Sequence, residues 1–140
     1  MASVFTRIIE GEFPGRFVWR DERVVAFLTI APISPGHTLV VPIEEVDHWI
    51  DLDDDLLAHL SAVAKAIGRA QQEAFRPAKV ALLAAGLEVP HVHLHVFPID
   101  SEGDISFAKA DHHAPDASLD EAAARIRGAL RRFGHPEVSD

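Results

Sequence analysis

Three histidines stand at every second position in the segment 91–95, which reads HVHLH. Side chains alternate between the two faces of a β-strand, so we predict that His91, His93 and His95 share one face over about 13 Å. The intervening Val92 and Leu94 would anchor the other face in a core. An exposed row of imidazoles adds little packing, so we first ask what chemistry it could perform.

Three interpretations fit this pattern. In phosphate chemistry, one imidazole attacks phosphorus while its neighbours, which titrate near neutral pH, bind phosphate or protonate a leaving group. In a metal site, histidines two positions apart bind one ion, usually together with a third strong ligand. In the third interpretation, the histidines are surface residues of an edge strand and have no chemical role.

The remaining apolar patterns predict the elements that position this segment. Periodicity and breaker residues predict strands and helices. The predicted strands are 17–19, 24–28, 37–41, 79–83 and 89–97, and the predicted helices are 3–9, 53–75 and a last one that begins at Ser118. Ser118 and Glu121 have the spacing of a capping box, and Gly134 ends that helix. Strands around one long helix with short connections indicate an antiparallel α+β domain.

Composition narrows the functional classes. The chain has 140 residues, 48% hydrophobic content, a formal net charge of −9 and no cysteine. Size and hydrophobicity suit one globular domain. The negative charge argues against nucleic acid or anionic membranes as partners. The absence of cysteine removes disulfides, thiolate nucleophiles and the usual zinc ligands. With no signal-like start and no apolar run of about 20 residues, we expect a soluble cytoplasmic protein that needs no cofactor.

The histidine segment and three others together resemble one known family. The stretch HVHLHVF at 91–97 fits the histidine triad motif, His-x-His-x-His followed by two apolar residues. In the same order as in that family, the chain also carries IIEGEFP at 8–14, VAFL at 25–28 and PGHTLVVP at 35–42. The resemblance to the histidine triad (HIT) family covers residues 3 to about 98.

This resemblance implies a fold and a function. It implies an α+β fold whose five-stranded antiparallel sheet carries one long helix, with a core at 1–98 and a C-terminal extension with a helix at 99–140. It also implies a homodimer, to which the apolar stripe of Leu56, Leu60 and Ile67 would contribute. The implied activity is hydrolysis or transfer at the α-phosphorus of a purine nucleotide or conjugate, through a nucleotidyl-histidine. The alternative is a non-catalytic nucleotide-binding or regulatory protein.

The resemblance also assigns roles by position. His93 corresponds to the nucleophile, His95 to the histidine that contacts phosphate, His91 to the orienting histidine and His37 to a fourth, supporting histidine. The base would contact four apolar positions, which are Phe5, Ile8, Phe27 and Ile30. Gly86 corresponds to the glycine whose backbone approaches the phosphate.

Several positions depart from the family pattern. Zinc-containing members carry Cys-x-x-Cys where this chain has Ser3 and Thr6, and a histidine where it has Glu45, so we predict no metal site. Thr29 replaces the aspartate that holds the ribose. Leu87 removes an amide from the loop before the triad, and Glu88 adds a negative charge there.

Other polar and aromatic residues have simpler explanations than a site. Asp111, His112, His113 and Asp116 could bind a metal, but a polar loop of this kind is more often solvated. Trp19 and Trp49 are expected in the core or at an interface rather than stacked on a base.

Overall fold

A computed structural model describes residues 2–140 and contains three helices, five strands and three short 3-10 turns. The helices are α1 (Val4–Ile9), α2 (Asp54–Phe75) and α3 (Asp116–Arg132); the strands are β1 (Phe17–Arg20), β2 (Val24–Leu28), β3 (Thr38–Pro42), β4 (Lys79–Ala84) and β5 (Leu94–Ile99). The 3-10 turns are Trp49–Asp51, Glu102–Asp104 and Phe107–Lys109.

The strands form one antiparallel sheet in the order β1-β2-β3-β5-β4. The predicted α+β class with five antiparallel strands is confirmed. One face of the sheet packs with α2 and α3 in the larger hydrophobic core, where Val92, Leu94 and Val96 are buried as predicted. The opposite face carries a smaller core of Phe5, Val25, Phe27, Leu39 and Val41. The histidines belong to this second face.

Helix α2 follows its predicted bounds closely. Asp54 and Asp55 lie in its first turn, where carboxylates complement the helix dipole. Leu56, Leu60 and Ile67 are at most 2% exposed and pack into the larger core. The expectation that this stripe supports a dimer interface is therefore wrong, because the sheet already covers it.

The histidine segment is less regular than predicted. Strand β5 begins at Leu94, so only His95 of the triad is a strand residue. The Val92 N–H donates to the Val46 carbonyl oxygen at 2.7 Å, and the His91 N–H donates to that of Val89 at 2.8 Å. These turn and loop bonds after Pro90 replace the sheet ladder.

Pro98 does not end β5, contrary to the prediction. The strand continues to Ile99, and Pro98 pairs with Val80 of β4. Strand β3 pairs with β5 only as far as Val96. The Pro98 carbonyl oxygen instead accepts a bond from Ser34 Oγ at 2.7 Å. The missing N–H of proline therefore costs no ladder bond at this position.

Helix α3 begins two residues before the predicted start. Its N-cap is Pro115, and Ser118 lies inside the first turn with its hydroxyl donating to the Pro115 carbonyl oxygen at 2.9 Å. The predicted capping box at Ser118 and Glu121 is wrong for this reason. The predicted end at Gly134 agrees with its φ of 83° directly after the C-cap.

The C-terminal residues close one edge of the sheet. The Arg20 N–H donates to the Glu137 carbonyl oxygen at 2.9 Å, and the Ser139 N–H donates to that of Val18 at 3.3 Å. Strand β4 forms the other edge. Among the helices of residues 2–140, none combines the length and apolar character needed to cross a membrane.

Candidate active site

His91 is fully buried, with both ring nitrogens engaged. Its Nε2 lies 2.7 Å from the Pro42 carbonyl oxygen, and its Nδ1 lies 2.7 Å from Ser3 Oγ. A carbonyl oxygen only accepts, so Nε2 carries the proton and Nδ1 accepts from the serine hydroxyl. His91 therefore has no free nitrogen for a substrate and acts on the site through its surroundings.

His93 is held by the backbone of His91. Its Nδ1 lies 2.7 Å from the His91 carbonyl oxygen and must donate to it. The proton of neutral His93 is thereby placed on Nδ1, and the lone pair is on Nε2. The His93 side chain retains 7% exposure, and its Nε2 accepts no hydrogen bond from residues 2–140. This nitrogen has the properties of a nucleophile.

His95 and His37 form a second ordered pair. The Ile33 N–H donates to His37 Nδ1 at 3.0 Å, so the His37 proton is on Nε2, which lies 2.9 Å from His95 Nδ1. His95 Nδ1 must therefore accept the hydrogen bond from His37, which places the proton of neutral His95 on Nε2. The ring centroids of His95 and His93 lie 4.9 Å apart, so the ring with a bare Nε2 and the ring with an Nε2–H donor are neighbours.

Burial keeps these imidazoles neutral. Desolvation, followed by the proximity of His95 and His93, lowers the pKa of His37 to about 3. Desolvation and the neighbouring His93 lower the pKa of His95 to about 4. The pKa of His93 is also lowered, mainly by burial, while the His91 carbonyl and the charge of Glu88 act in the opposite direction. The near-complete burial differs from the predicted exposed row of imidazoles.

Helix α1 builds one wall of the site. Its Phe5 is 6% exposed and lies edge-on to His93, with ring centroids 4.8 Å apart. Phe5 also packs edge-on against Phe27 of β2 at 5.6 Å, and Ile8 packs against the same small core. Three of the predicted base contacts, Phe5, Ile8 and Phe27, thus lie together beside the triad.

The other predicted nucleotide contacts are more exposed to solvent. Thr29 is partly buried, and its Oγ1 accepts a bond from the Ala31 N–H at 3.2 Å. Ile30 is 74% exposed and Leu87 is 94% exposed. Gly86 has a φ of 75°, a left-handed conformation that side-chain-bearing residues rarely adopt. Glu88 is exposed, and its charge acts on His93.

Two residues outside the predicted set shape the site. Gln71 of α2 is fully buried and donates from Nε2 to the carbonyl oxygens of Gly36 and Val96, each at 2.8 Å. These residues adjoin His37 and His95, so Gln71 fixes both histidines relative to α2. A lone glutamine inside an apolar helical stripe was the sequence signal for such a role.

Phe107 is the second missed residue. Its ring is 50% exposed and lies edge-on to His95, with centroids 5.1 Å apart. Phe107 therefore flanks His95 as Phe5 flanks His93. It belongs to the polar segment after β5, where no pattern indicated an approach to the triad.

Ser3, Thr6 and Glu45 meet at His91. Glu45 Oε1 accepts bonds from the Ser3 N–H and the Thr6 hydroxyl, each at 2.7 Å, and lies 3.9 Å from His91 Nδ1. The Ser3 N–H bond, followed by that of Thr6, lowers the pKa of Glu45, which is therefore ionised at neutral pH.

Known proteins resemble this chain in sequence, in structure or in both. An uncharacterized HIT-like protein from Methanocaldococcus jannaschii is 36% identical over 129 residues, covering 89% of this chain and 98% of its own. A Zn-bound histidine triad family protein from Mycobacterium smegmatis has a TM-score of 0.81 at 29% identity, covering 95% of this chain and 96% of that one. A hypothetical histidine triad nucleotide-binding protein from Sulfolobus tokodaii also has a TM-score of 0.81, at 28% identity and 93% coverage of both chains.

Zinc, which the Mycobacterium smegmatis protein binds, does not fit the donor set found here. Ser3 and Thr6 offer neutral hydroxyls that are already engaged in hydrogen bonds, and zinc in proteins prefers thiolate, imidazole and carboxylate ligands. Across residues 2–140, no three His, Asp or Glu side chains converge as a metal site would require. This includes the loop with Asp111, His112, His113 and Asp116, which was the alternative metal site.

The family model for the HIT domain matches residues 10–102, a segment that includes His37 and all three histidines of the triad. This match covers more than half of the chain and agrees with the sequence and structural similarities. The chain belongs to the HIT family.

Proposed function

We propose that this protein hydrolyses a nucleotide conjugate at its α-phosphorus, with His93 as the nucleophile. The observation that carries the proposal is the bond from His93 Nδ1 to the His91 carbonyl oxygen at 2.7 Å. It leaves Nε2 with a free lone pair beside the N–H of His95. The lowered pKa of His93 keeps that lone pair available at neutral pH.

The reaction would have two displacements at phosphorus. In the first, His93 Nε2 forms a bond to phosphorus, and the leaving group departs with the electrons of its own bond and takes a proton from solvent. The resulting nucleotidyl-imidazolium keeps its proton on Nδ1, which donates to the His91 carbonyl oxygen. In the second, water bonds to phosphorus, the P–N bond breaks in favour of His93, and the water proton returns to solvent.

His95 would stabilise charge on the phosphoryl oxygens. Its Nδ1 accepts from His37, so its Nε2–H is the available donor. With a pKa of about 4, His95 is neutral at pH 7 and donates a hydrogen bond without carrying a net charge. Donors fixed before the reaction lower the barrier, because they need no reorganisation as charge develops.

The substrate would be a purine nucleotide conjugate whose base lies against Phe5, Ile8 and Phe27. Phe5 and Phe27 already pack edge-on at 5.6 Å, which provides a rigid apolar wall. Ile30 would close this wall from outside and Thr29 would face the ribose. The Gly86 backbone would approach the phosphate.

A nucleotide-binding protein without turnover is the second candidate. Glu88 places a carboxylate in the loop before the triad, and its charge acts on His93. A negative charge there opposes the approach of an anionic phosphate. Leu87, 94% exposed, offers no polar group to replace the missing amide.

Substitution of His93 separates the two candidates. Turnover is measured with an adenosine 5′-phosphoramidate that releases a fluorogenic amine, and AMP binding is measured by calorimetry. In the hydrolase, His93→Ala should lose at least about a thousandfold in kcat while the protein stays folded. His112→Ala, which changes an exposed histidine outside the site, should keep full activity. AMP binding by the wild type without any turnover supports the second candidate, and undiminished hydrolysis by His93→Ala contradicts the nucleophile.

A further inference from the structure

His91 depends on a hydrogen-bonded cluster whose other members have no role in the proposed reaction. The cluster consists of Ser3, Thr6, Glu45 and His91, and we call it the Glu45 clamp. Its members come from three separate parts of the chain, namely the start of α1, the loop after β3 and the turn before β5. His91 and Ser3 are buried, so a polar group of either residue that loses its partner has little access to water, whereas Glu45 and its bond with the Thr6 hydroxyl lie at the surface.

The hydrogen bonds that join Ser3 to His91 and to the Thr6 backbone have determined directions. His91 Nε2 donates to the Pro42 carbonyl oxygen, so Nδ1 accepts the Ser3 hydroxyl proton at 2.7 Å. Ser3 Oγ in turn accepts from the Thr6 N–H at 3.1 Å, as the N-cap of α1. One hydroxyl therefore connects the cap of α1 to the ring of His91.

Glu45 holds Ser3 in place through the Ser3 backbone. Its Oε1 accepts from the Ser3 N–H and from the Thr6 hydroxyl, each at 2.7 Å. Hydrogen bonds to an ionised carboxylate are stronger than neutral ones. The carboxylate thus fixes both the residue that caps α1 and the first turn of that helix.

We propose that Glu45 is a positioning residue for the triad. Its carboxylate fixes Ser3, Ser3 orients His91, and the His91 carbonyl oxygen holds the Nδ1 proton of His93. The same fixation sets α1, whose Phe5 ring lies 4.8 Å from that of His93. At these positions hydrogen bonds hold the chain segments together as a metal ion would. This explains how the site stays ordered with a donor set unsuited to zinc.

The proposal rests on the proposed function only for its kinetic consequence. Displacement of a reacting group by about 1 Å can cost about a hundredfold in rate. We therefore expect Glu45→Ala to lower kcat by about tenfold to a hundredfold, and to change KM by less. Glu45→Gln keeps an acceptor oxygen at the same length and should recover most of the lost kcat. Glu44→Ala removes the adjacent exposed carboxylate and should leave kcat unchanged.

The imidazole ¹⁵N spectrum tests the same claim without turnover. The wild type should show His93 as a single tautomer with Nδ1 protonated and Nε2 bare. Glu45→Ala should shift both His93 nitrogens toward a mixture of tautomers, whereas Glu45→Gln and Glu44→Ala should retain the wild-type spectrum.

These experiments distinguish a failure of the Glu45 proposal from a failure of the proposed function. If Glu45→Ala lowers the melting temperature but keeps both kcat and the His93 spectrum of the wild type, the clamp only stabilises the fold and the proposal is wrong. If the wild type itself hydrolyses no phosphoramidate, the proposed function fails. The His93 spectrum of Glu45→Ala still decides the role of the clamp in that case.

Discussion

The four histidines of the site differ in which ring nitrogen carries the proton, and backbone groups decide this for three of them. The carbonyl oxygens of Pro42 and His91 assign the tautomers of His91 and His93, and the Ile33 N–H assigns that of His37. His95 then follows from His37. Main-chain anchors thus leave a bare Nε2 on His93 and an Nε2–H on His95, which are the two groups that the proposed mechanism uses.

At the residue scale, Thr29 gives a prediction about the sugar. Its Oγ1 already accepts from the Ala31 N–H, and a neutral hydroxyl binds a ribose more weakly than a carboxylate. Hydrogen bonds to charged groups contribute about 1.5–3 kcal/mol, against about 0.5–1.5 kcal/mol for neutral ones. We therefore expect AMP and dAMP to bind within about a factor of ten of each other. Calorimetry with both nucleotides measures this ratio.

Thr29→Asp is the complementary variant, because it restores a carboxylate that can bind the ribose. It should strengthen AMP binding more than dAMP binding, because only the ribose offers the additional hydroxyl. A preference of about a hundredfold for AMP in the wild type would show that another residue holds the ribose.

The sequence predicted which histidines lie together better than it predicted how they are held. The alternation in HVHLH correctly placed Val92 and Leu94 in the larger core and the histidines on the opposite side. It could not reveal that His91 precedes β5 and bonds with Ser3, 88 positions away in the chain. Residue spacing carries local periodicity, whereas Gln71, Phe107 and the Glu45 clamp depend on contacts between distant segments.

At the scale of elements, the pairing of β3 with β5 brings His37 to His95. Gly36 makes this possible, since its φ of 90° suits glycine and a Cβ there would lie 2.4 Å from the Phe75 ring. Breaker residues predicted the ends of most strands correctly. Pro42 and Pro98 were exceptions and lie inside β3 and β5, because a proline is tolerated where the strand on one side does not reach.

The buried His37 predicts how stability depends on pH. Its pKa is about 3 when folded and near 6.5 when unfolded, so the unfolded chain binds a proton that the folded one excludes between these values. Stability is complete above pH 6.5 and decreases as the pH falls through this window. For His37 alone, we expect a loss of about 2 kcal/mol in unfolding free energy between pH 7 and pH 5.

Urea unfolding at both pH values, compared with His37→Asn, measures this contribution. The variant should be less stable at pH 7, because His95 Nδ1 and the Ile33 N–H lose their partner, but its stability should change less with pH. His112→Asn should keep the wild-type dependence, since His112 is exposed. An equal pH dependence in wild type and His37→Asn would contradict the buried, neutral His37.

At the scale of the whole molecule, the two edges of the sheet are unequal. Residues 137–139 cover β1, whereas β4 pairs only with β5 within residues 2–140. An uncovered edge can pair with another chain. The homodimer therefore remains a prediction, now based on the β4 edge rather than on the buried stripe of α2.

Light scattering in dilute solution should give twice the chain mass of 15.3 kDa. Leu82, which is 61% exposed on β4, provides the test position. Leu82→Glu should shift the protein toward the monomer, whereas Ile50→Glu, a similar change at another exposed aliphatic residue, should not. A wild type found only at 15.3 kDa would rule out the dimer.

The central claim is that His93 forms a covalent bond to the substrate phosphorus. The most direct measurement is the mass of the intact protein after acid-free rapid quenching during turnover of the adenosine 5′-phosphoramidate, followed by peptide mapping. The mechanism predicts one adenylyl group per active chain, located on His93 and absent from His93→Ala. Product formation in the wild type with no such adduct at any quench time, or an adduct located on His95, would contradict it.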